Sequence, residues 1–263
     1  MSKNYSPGDV LDVRIEKVLP RGLGLAFAEK LTIFVPLAAP GDRVRVRIED
    51  IRKRTAFAEI VEVVEPSPRR IEPPCSHFGT CGGCDLQQMD YGAQLSAKVG
   101  IIRDCLHRIA KIDDAKIEMI ASPEQFGYRS RARWRLDRET QKVGYFRRDS
   151  HELIDVDNCP ILTPELQSQM SRLRSEIDWA GVLDDIAEID VVAGSDGRVS
   201  MFSREIVGQA EEVFAEAAGE TYAFSAQSFF QANRPLVGQL VETAIGGASG
   251  ETALDLYCGV GLF

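Results

Sequence analysis

Three cysteines within a ten-residue stretch form the strongest local signal in the sequence. They are Cys75, Cys81 and Cys84, and two glycines fill the interval between the last two. Glycine permits backbone angles that aim several sulfur atoms at one centre, and it leaves amide N–H groups available to cluster sulfides. A fourth ligand must come from elsewhere. Cys159 is the natural candidate, because it precedes Pro160 and bacterial ferredoxin motifs end on the same dipeptide.

Four cysteines can bind either an iron–sulfur cluster or a structural zinc ion. The five-residue gap between Cys75 and Cys81 is longer than the usual spacing of a first zinc pair. The residues therefore favour iron–sulfur over zinc. His77 could complete a Cys₃His zinc site, although an exposed loop histidine is the commoner explanation. Cys105 borders an apolar helix stripe and is predicted to be a small buried residue rather than a ligand.

Arginine occupies every second position of a predicted strand, residues 128–137. Alternation places Arg129, Arg131, Arg133 and Arg135 on one face and apolar residues on the other. Between residues 126 and 150, eight Lys/Arg stand against three Asp/Glu, although the whole chain has a net charge of −9. This region could hold a polyanion. The alternative is a solvated strand face with no ligand.

The elements before the cysteines predict a small β-barrel of the oligonucleotide-binding type, because five short strands are separated by proline and glycine. The predicted strands are Val10–Ile15, Gly24–Ala28, Leu31–Val35, Arg43–Ile48 and Ala56–Val63. Arg43, Arg45 and Arg47 share one strand face, for which RNA contact and plain solvation are equally good interpretations.

Residues 65–74 contain four prolines and are predicted to be a linker. A helix should follow over residues 91–111, with Leu95, Val99, Ile102, Leu106 and Ile109 spaced three and four apart. Beyond the arginine strand, residues 142–148 should pair with it. A helix (residues 164–179) and two strands (186–193 and 199–202) complete an α/β or α+β middle domain.

The last residues, Glu251–Phe263, predict a buried strand that leads into a G-x-G loop of the kind that admits a nucleotide-type ligand. The helix that should follow this loop is absent, so the sequence is expected to be incomplete, with the rest of a parallel sheet missing. Cys258 lies in this turn. A small residue fits there, and nothing nearby would activate the thiol as a nucleophile.

Composition places the chain among globular proteins. Of its 263 residues 44% are hydrophobic and 27% charged. The sequence contains no apolar run of about 20 residues, and its start lacks the apolar core of a signal peptide. The expected compartment is the cytoplasm, where six cysteines are thiols or metal ligands rather than disulfides. No membrane contact and no obligate protein partner is expected.

Taken together, these motifs resemble the bacterial RNA uracil-5-methyltransferase family, in particular the branch that modifies 23S ribosomal RNA. The barrel resembles its TRAM domain, and the four cysteines resemble its [4Fe–4S] site. Three further segments carry the resemblance: Phe126–Arg133 of the basic central strand, Ser228–Asn233 at the entry to the methyltransferase domain, and Leu254–Gly261 of the S-adenosylmethionine loop. The match covers essentially the whole chain and makes iron–sulfur the choice over zinc.

The resemblance implies a multidomain fold with a TRAM-like barrel (residues 1–66), an α+β iron–sulfur and RNA-binding domain (67–222), and the beginning of a Rossmann-like methyltransferase domain (223–263). The helix at 91–111 is expected to pack with the last of these. Gln231, Tyr257 and Leu262 would contact S-adenosylmethionine. Leu262 would do so through its backbone alone, because family members often have asparagine there.

The resemblance also implies the chemistry: a cysteine adds to C6 of uridine, and a carboxylate removes the C5 proton. Both groups lie downstream in the family, so no catalytic residue is expected within this chain, which should be inactive alone. The cluster would stabilise the fold, and RNA, most simply ribosomal RNA, would be held by Arg129, Arg131, Arg133 and Arg147.

Three alternatives remain at this stage. The first is a tRNA uridine-5-methyltransferase on the same scaffold. The second is a non-catalytic TRAM and iron–sulfur RNA-binding fragment. The third is a radical S-adenosylmethionine enzyme, which the five-residue gap and the fourth cysteine oppose, because such enzymes use a C-x₃-C-x₂-C triad.

Overall fold

The computed structural model describes residues 4–182, 185–204 and 210–263. The chain divides into two compact units: Met1–Gly79 with Gly83–Ala121, and Thr80–Gly82 with Ser122–Phe263. The helix after the cysteines is thus grouped with the barrel, and residues 223–263 are grouped with the central domain. Among the described residues, no helix has the length and apolarity needed to cross a membrane.

The first unit is built on a six-stranded sheet. Its strands are β1 (Val10–Arg14), β2 (Lys17–Leu19), β3 (Leu23–Ala28), β4 (Leu31–Pro36), β5 (Arg43–Arg52) and β6 (Thr55–Glu65). They lie in the order β1-β5-β6-β4-β3-β2, antiparallel except where β4 pairs with β6. Ile15, Ile33, Val44 and Ile48 are fully or almost fully buried in its core. All five predicted strands are present, and β2 is an addition.

The arginine face of β5 is paired within the chain. Arg43 contacts Glu65 at 2.6 Å and Asp12 at 3.4 Å, and Arg45 contacts Asp12 at 2.9 Å. The other contacts join Arg45 to Glu62 and Arg47 to Glu59. Because four carboxylates form ion pairs with three guanidinium groups, this face has no excess of positive charge that could bind a polyanion. The solvated interpretation of the face is the better one.

The proline-rich segment after β6 is held firmly to the barrel rather than forming a loose linker. Asp42 is fully buried, and its carboxylate accepts hydrogen bonds from the Ala39 and Ser67 amides at 2.7 and 2.8 Å. Arg70 contacts the same carboxylate at 2.9 Å and donates to the Leu37 carbonyl. No regular strand follows β6 in this segment, but the predicted absence of pairing is wrong in part, because Arg70 forms an isolated antiparallel bridge with Met89.

The helix α1 (Tyr91–Cys105) begins at Asp90, whose carboxylate accepts from the Ala93 amide at 2.9 Å. A π-helical turn (Leu106–Ala110) continues it to Lys111, which adopts a left-handed conformation. The face that packs on the barrel carries Ala93, Ala97 and Ile101, against Val18, Ala39 and Met89. The predicted stripe is partly or largely exposed instead, with Ile109 at 81%. Cys105 is half-buried.

The second unit contains a five-stranded antiparallel sheet with the order β11-β10-β7-β8-β9. Its elements are β7 (Arg131–Asp137), β8 (Lys142–Phe146), β9 (Leu153–Asp155), α2 (Pro164–Glu176), β10 (Ile186–Ala193) and β11 (Val199–Phe202). Trp134, Leu136, Leu166 and Met170 are fully buried between the sheet and α2. The predicted alternation of β7 is confirmed, with Ala132, Trp134 and Leu136 in the core.

The end of the chain forms a smaller core. A hairpin of β12 (Val213–Ala217) and β13 (Glu220–Phe224) packs with α3 (Val237–Ile245) around Phe230. The predicted strand at 251–258 is wrong, since these residues are irregular and Leu254 and Leu256 are 81% and 70% exposed. A strand requires a hydrogen-bonded neighbour and cover for its apolar side chains, and the described residues provide neither here.

Candidate functional site

The arginine side chains of β7 face two carboxylates on the neighbouring strand. The β10 register places Asp190 opposite Arg133 and Glu188 opposite Arg135. Arg133 contacts Asp190 at 2.9 Å and Glu188 at 3.3 Å, and Arg135 contacts Glu188 while its guanidinium stacks 4.7 Å from the Phe146 ring centroid. Hydrogen bonding and charge from Asp190 raise the pKa of Arg133. Much of the positive charge predicted for this face is thus compensated.

Arg131 is bonded differently, because it contacts backbone carbonyls rather than a carboxylate. Its two terminal nitrogens donate to the carbonyl oxygens of Ser228 and Ala226, the latter at 2.8 Å. Burial lowers the pKa of Arg131, and the charge of Asp190 partly offsets this effect. The planar guanidinium therefore fixes the start of the segment that leads into Ser228–Asn233.

That segment is also attached through the backbone to residues 128–130, which directly precede β7. The Ser130 amide donates to the Ala232 carbonyl at 2.8 Å, and the Arg234 amide donates to the Tyr128 carbonyl at 3.1 Å. Arg129 forms an isolated bridge with Asn233, and its Nε donates to the Arg131 carbonyl at 2.9 Å. Gln231, predicted to bind the cofactor, is half-buried between these two attachments.

Phe229 and Phe230 have different environments. Phe230 is 4% exposed and stacks on Phe224, with ring centroids 4.1 Å apart and planes inclined by 9°. Phe229 is 71% exposed. Of these two adjacent residues, only Phe230 therefore belongs to the core.

A cavity of about 780 Å³ opens beside the arginine strand. Its lining includes Arg131, Arg133, Arg204, Ala226 and Gln227. Glu188 and Asp190 also line it. A cavity of this size, lined by mixed charges and an exposed amide, has the dimensions and the hydrogen-bonding groups to receive a nucleotide.

Cys81 is positioned by strand β8. It forms a bridge with Arg147, while the Gly82 amide donates to the Phe146 carbonyl at 3.0 Å and the Arg148 amide donates to the Thr80 carbonyl at 2.9 Å. A Cβ at Gly82 would lie 3.2 Å from the Phe146 carbonyl oxygen, so glycine permits this close approach. Arg147 is itself held by Glu152 through two contacts, at 2.7 and 3.2 Å.

Cys159 lies on the loop between β9 and α2. Its amide donates to the Gln167 Oε1 atom at 2.8 Å, and Gln167 Nε2 donates to the Asp157 carbonyl at 2.9 Å. The half-buried thiol packs against the main core of the unit. On β8, the residue Gly144 allows β9 to approach closely, because a Cβ at this position would overlap the Ile154 carbonyl oxygen.

Cys81 and Cys159 lie near one buried phenol. Tyr145 on β8 accepts a hydrogen bond from the Trp134 indole at 3.2 Å. Burial raises the pKa of Tyr145 well above its ordinary value, and the negative charges of Cys159 and Cys81 raise it further. Two of the four predicted ligands therefore belong to the second unit, and the charge of each acts on Tyr145.

Cys75 and Cys84 belong to the first unit. The Phe78 amide donates to the Cys75 carbonyl at 3.0 Å, which closes a turn, and both thiols are half-buried. None of the six cysteines takes part in a disulfide, and all six lie within the described parts of the chain. Over residues 4–182, 185–204 and 210–263, no group of three or more His, Cys, Asp or Glu side chains is arranged to hold a metal ion.

The other two residues predicted to bind the cofactor differ in exposure. Tyr257 has a positive φ of 65° and is fully exposed. Leu262 is 7% exposed in the small core with Phe230, and its carbonyl accepts from the Tyr222 hydroxyl at 3.3 Å. The Leu262 side chain is therefore enclosed in the small core. Cys258 is exposed and forms no disulfide.

Sequence reasoning missed the acidic partners of β10 and the role of Arg234. The Arg234 guanidinium contacts Glu165 at 3.1 Å and donates to the Gly194 carbonyl at the same distance. Burial alone would raise the pKa of Glu165, but hydrogen bonds from its own amide and from Arg234 lower it. The alternation of Ile186–Ala193 marked a strand, yet only pairing could reveal that it faces β7.

Residues 7–69 match the profile of the TRAM domain of tRNA (uracil(54)-C(5))-methyltransferase. Across 98% of its length the chain is 27% identical to an uncharacterized RNA methyltransferase of Thermosynechococcus vestitus, of which the match covers 70%. It is 28% identical over 95% of its length to the 23S rRNA (uracil(1939)-C(5))-methyltransferase RlmD of Vibrio parahaemolyticus, covering 66% of that protein. The chain thus spans about two thirds of the length of these relatives.

The fold resembles that of a solved structure, the Pyrococcus abyssi tRNA (uracil-54, C5)-methyltransferase in complex with S-adenosyl-L-homocysteine. The TM-score is 0.70 with 24% sequence identity, and the match covers 95% of this chain and 69% of that one. At this identity the similarity is one of fold. The multidomain organisation is therefore confirmed, with a segment that matches the TRAM profile at residues 7–69 and a fold similar to that of this solved structure.

Proposed function

We infer that this chain, a relative of the RNA (uracil-C5)-methyltransferases with a TRAM domain at residues 7–69, acts in the S-adenosylmethionine-dependent methylation of uridine C5 in RNA. The observation that carries this inference is the similarity over 95–98% of the chain to RNA methyltransferases, combined with the TRAM match. No single motif of the chain has this specificity. S-adenosylmethionine would supply the methyl group.

The proposed reaction follows from the chemistry of uracil. C5 is a weak nucleophile until a cysteine thiolate adds to C6 and creates an enolate, which then takes the methyl group. A carboxylate removes the C5 proton, and the thiolate leaves. We propose that both groups lie C-terminal to Phe263, so that the 263 residues contribute binding and positioning rather than bond making.

Cofactor binding is proposed for Gln231, Tyr257 and Leu262. Support comes from the Ser228–Asn233 segment, which is held near its start by the Arg131 side chain and near its end by the backbone of residues 128–130. Such attachment reduces the entropy lost when a side chain becomes ordered around a ligand. Leu262 would act through its backbone, because its side chain is buried.

RNA binding in the second unit is proposed at the cavity beside β7. Arg131, Arg133 and Arg204 line this cavity. Arg129 lies just before β7, and Arg147 lies just after β8. An arginine already paired to a carboxylate retains other N–H donors, so it can still contact phosphate or ribose. The acidic neighbours would limit nonspecific binding.

An iron–sulfur cluster is proposed at Cys75, Cys81, Cys84 and Cys159. Two observations fit: these four thiols are half-buried on loops, and Cys81 and Cys159 both lie near Tyr145. Thiolates are the ligands that iron–sulfur clusters take. Methyl transfer needs no net electron flow, so the reaction gives the cluster no redox role. When bound, the cluster would contribute folding free energy.

Ribosomal RNA is the proposed substrate, because relatives that align along nearly the whole chain act on 23S rRNA by name. The second candidate is tRNA, favoured by the TRAM profile and by the archaeal structure, both of which come from tRNA enzymes. The two differ only in the RNA that carries the target uridine.

Release of tritium from RNA labelled at C5 of uracil tests the reaction, because only substitution at C5 expels that hydrogen. A protein that extends this chain to the length of its relatives would be incubated with S-adenosylmethionine and either 23S rRNA or tRNA transcripts. Release from the ribosomal transcript is expected, and release from tRNA alone would select the second candidate. Methyl incorporation without tritium release would exclude the C5 mechanism. The 263-residue chain alone should release none.

A further inference from the structure

Gln167, near the start of α2, bridges two backbone groups of the loop that carries Cys159. Its Oε1 atom accepts from the Cys159 amide at 2.8 Å, and its Nε2 atom donates to the Asp157 carbonyl at 2.9 Å. Helical side chains lean toward the N-terminus of their helix, which brings Gln167 back to the loop before α2. Because a backbone N–H only donates and a carbonyl oxygen only accepts, these partners fix the orientation of the side-chain amide.

The residues that follow Cys159 are held by backbone hydrogen bonds. The Leu162 amide donates to the Cys159 carbonyl at 3.0 Å, and the Arg129 amide donates to the Ile161 carbonyl at 2.8 Å. The proline at position 160 also disfavours the helical conformation for Cys159, which precedes it. The Cys159 amide differs from these groups, because its partner is a side chain, which a substitution can remove without altering the backbone.

The backbone of a cysteine largely determines where its sulfur atom lies. One rotatable bond, between Cα and Cβ, sets the Sγ position, and it occupies one of three staggered states. The Cys159 thiol is half-buried and packs against the main core of the second unit, which restricts it further. Groups that hold a metal ligand in its orientation contribute to the affinity for the metal, although they do not touch it. Gln167 is placed to act in this way.

We propose that Gln167 is a positioning residue for the iron–sulfur cluster: its two hydrogen bonds keep the Cys159 backbone in the conformation from which the thiol binds the cluster. The inference rests on the proposed function in taking Cys159 as a ligand. Four thiols are a donor set that suits such a cluster. Gln167 acts through Cys159 and is not itself a ligand, because its Oε1 and Nε2 atoms are bonded to the backbone.

Three substitutions separate this role from general support of the helix. Gln167→Met keeps the length of the side chain and removes both hydrogen bonds. Gln167→Glu keeps an oxygen that can accept from the Cys159 amide, but it replaces the donor to the Asp157 carbonyl with a second oxygen. Gln169→Met is the matched control, because it makes the same change two residues along α2, where the buried Gln169 lines a cavity of about 780 Å³.

The full chain and each variant would be purified anaerobically and assayed for iron and sulfide. The decay of the visible absorption of the cluster in an excess of an iron chelator would then give the rate of cluster loss. Gln167→Met should lose the cluster about 10-fold faster or more, since the outer partners of metal ligands contribute that much to affinity. Gln167→Glu should restore part of the difference, because it retains the acceptor for the Cys159 amide. Gln169→Met should behave as the unmodified chain does.

The positioning role is overturned if Gln167→Met loses the cluster no faster than the unmodified chain, if Gln167→Glu restores nothing, or if Gln169→Met has an equal effect. Near-ultraviolet circular dichroism would confirm that each variant is folded. If Gln167→Met is not folded, Gln167→Glu decides alone, and a rate equal to that of the unmodified chain overturns the role.

The same assays separate this inference from the proposals on which it rests. An unmodified chain without iron and sulfide overturns the cluster and the role of Gln167 together. A cluster that is equally stable in all variants overturns the role of Gln167 alone. Tritium release from uracil-labelled RNA reports on the methylation reaction independently of both.

Discussion

The Asp42 carboxylate, which is fully buried, lies 2.9 Å from the Arg70 guanidinium. The same carboxylate accepts two backbone amides, from Ala39 and Ser67. One side chain of the barrel therefore holds the proline-rich segment that precedes Cys75. The position of that segment therefore depends on Asp42, which pairs with Arg70 and accepts the Ser67 amide.

Replacing Asp42 with alanine should lower the free energy of unfolding of the barrel unit by about 3–5 kcal/mol, because the partly buried Arg70 and two amides lose their acceptor. Chemical denaturation followed by circular dichroism would measure the change. Asp50→Ala is the matched control, because Asp50 pairs with the exposed Arg52 and should cost less than about 1 kcal/mol. Equal effects of the two variants would contradict the assigned role of Asp42.

Serine at Cys75, Cys81, Cys84 or Cys159 should abolish or sharply reduce the iron and sulfide content of anaerobically purified protein. Cys105→Ser and Cys258→Ser are the controls, and both should retain the cluster, because neither thiol belongs to the proposed ligand set. Iron, sulfide and zinc would be assayed together. One zinc ion per chain, without sulfide, would replace the cluster with a structural zinc site.

Arg131→Met should loosen the Ser225–Asn233 segment, since the carbonyls of Ala226 and Ser228 lose their donor. Loss of a buried hydrogen-bond partner costs about 1–3 kcal/mol, which faster amide hydrogen exchange in this segment would detect. Arg172→Met removes a solvent-exposed pair with Glu176 and should leave exchange there unchanged. Unaltered exchange in the first variant would remove Arg131 from this positioning role.

Glu165 should contribute a pH-dependent increment to stability. Its pKa in the folded chain lies below the ordinary value of 4.5, so the increment is fully present above that value. It is lost as the pH falls from there through the lower folded-state pKa. The difference in unfolding free energy between the unmodified chain and Glu165→Gln should therefore be constant near neutrality and vanish in acid. Glu176→Gln, on the exposed face of α2, should show a smaller difference.

The barrel was predictable because each of its longer strands alternates between apolar and polar residues and ends at a turn signal. Strand β2 was not, because three residues carry too little pattern, and it forms only by pairing with Leu23–Leu25. The packing face of α1 was also misjudged. Its contact residues include Ala93 and Ala97, whose small side chains are weaker signals than the leucine and isoleucine of the exposed stripe.

The candidate site shows the same limit. The alternation of β7 predicted which residues face the core, but the charges opposite Arg133 and Arg135 come from a strand more than fifty residues away in sequence. Cross-strand neighbours are set by register, which a single sequence does not display. The prediction of a strand at residues 251–258 was wrong for a related reason. Its apolar pattern is typical of a strand that neighbouring strands and helices bury, and the described residues do not provide such neighbours.

Residues 80–82 are attached to β8, although the chain before and after them belongs to the barrel unit. No single peptide bond therefore separates the two halves. A fragment that ends at Ala121 carries three residues whose strand partner is missing, and a fragment that begins at Ser122 exposes the edge of β8 that they cover. Expression of either half calls for a grafted or circularly permuted chain rather than a simple cut.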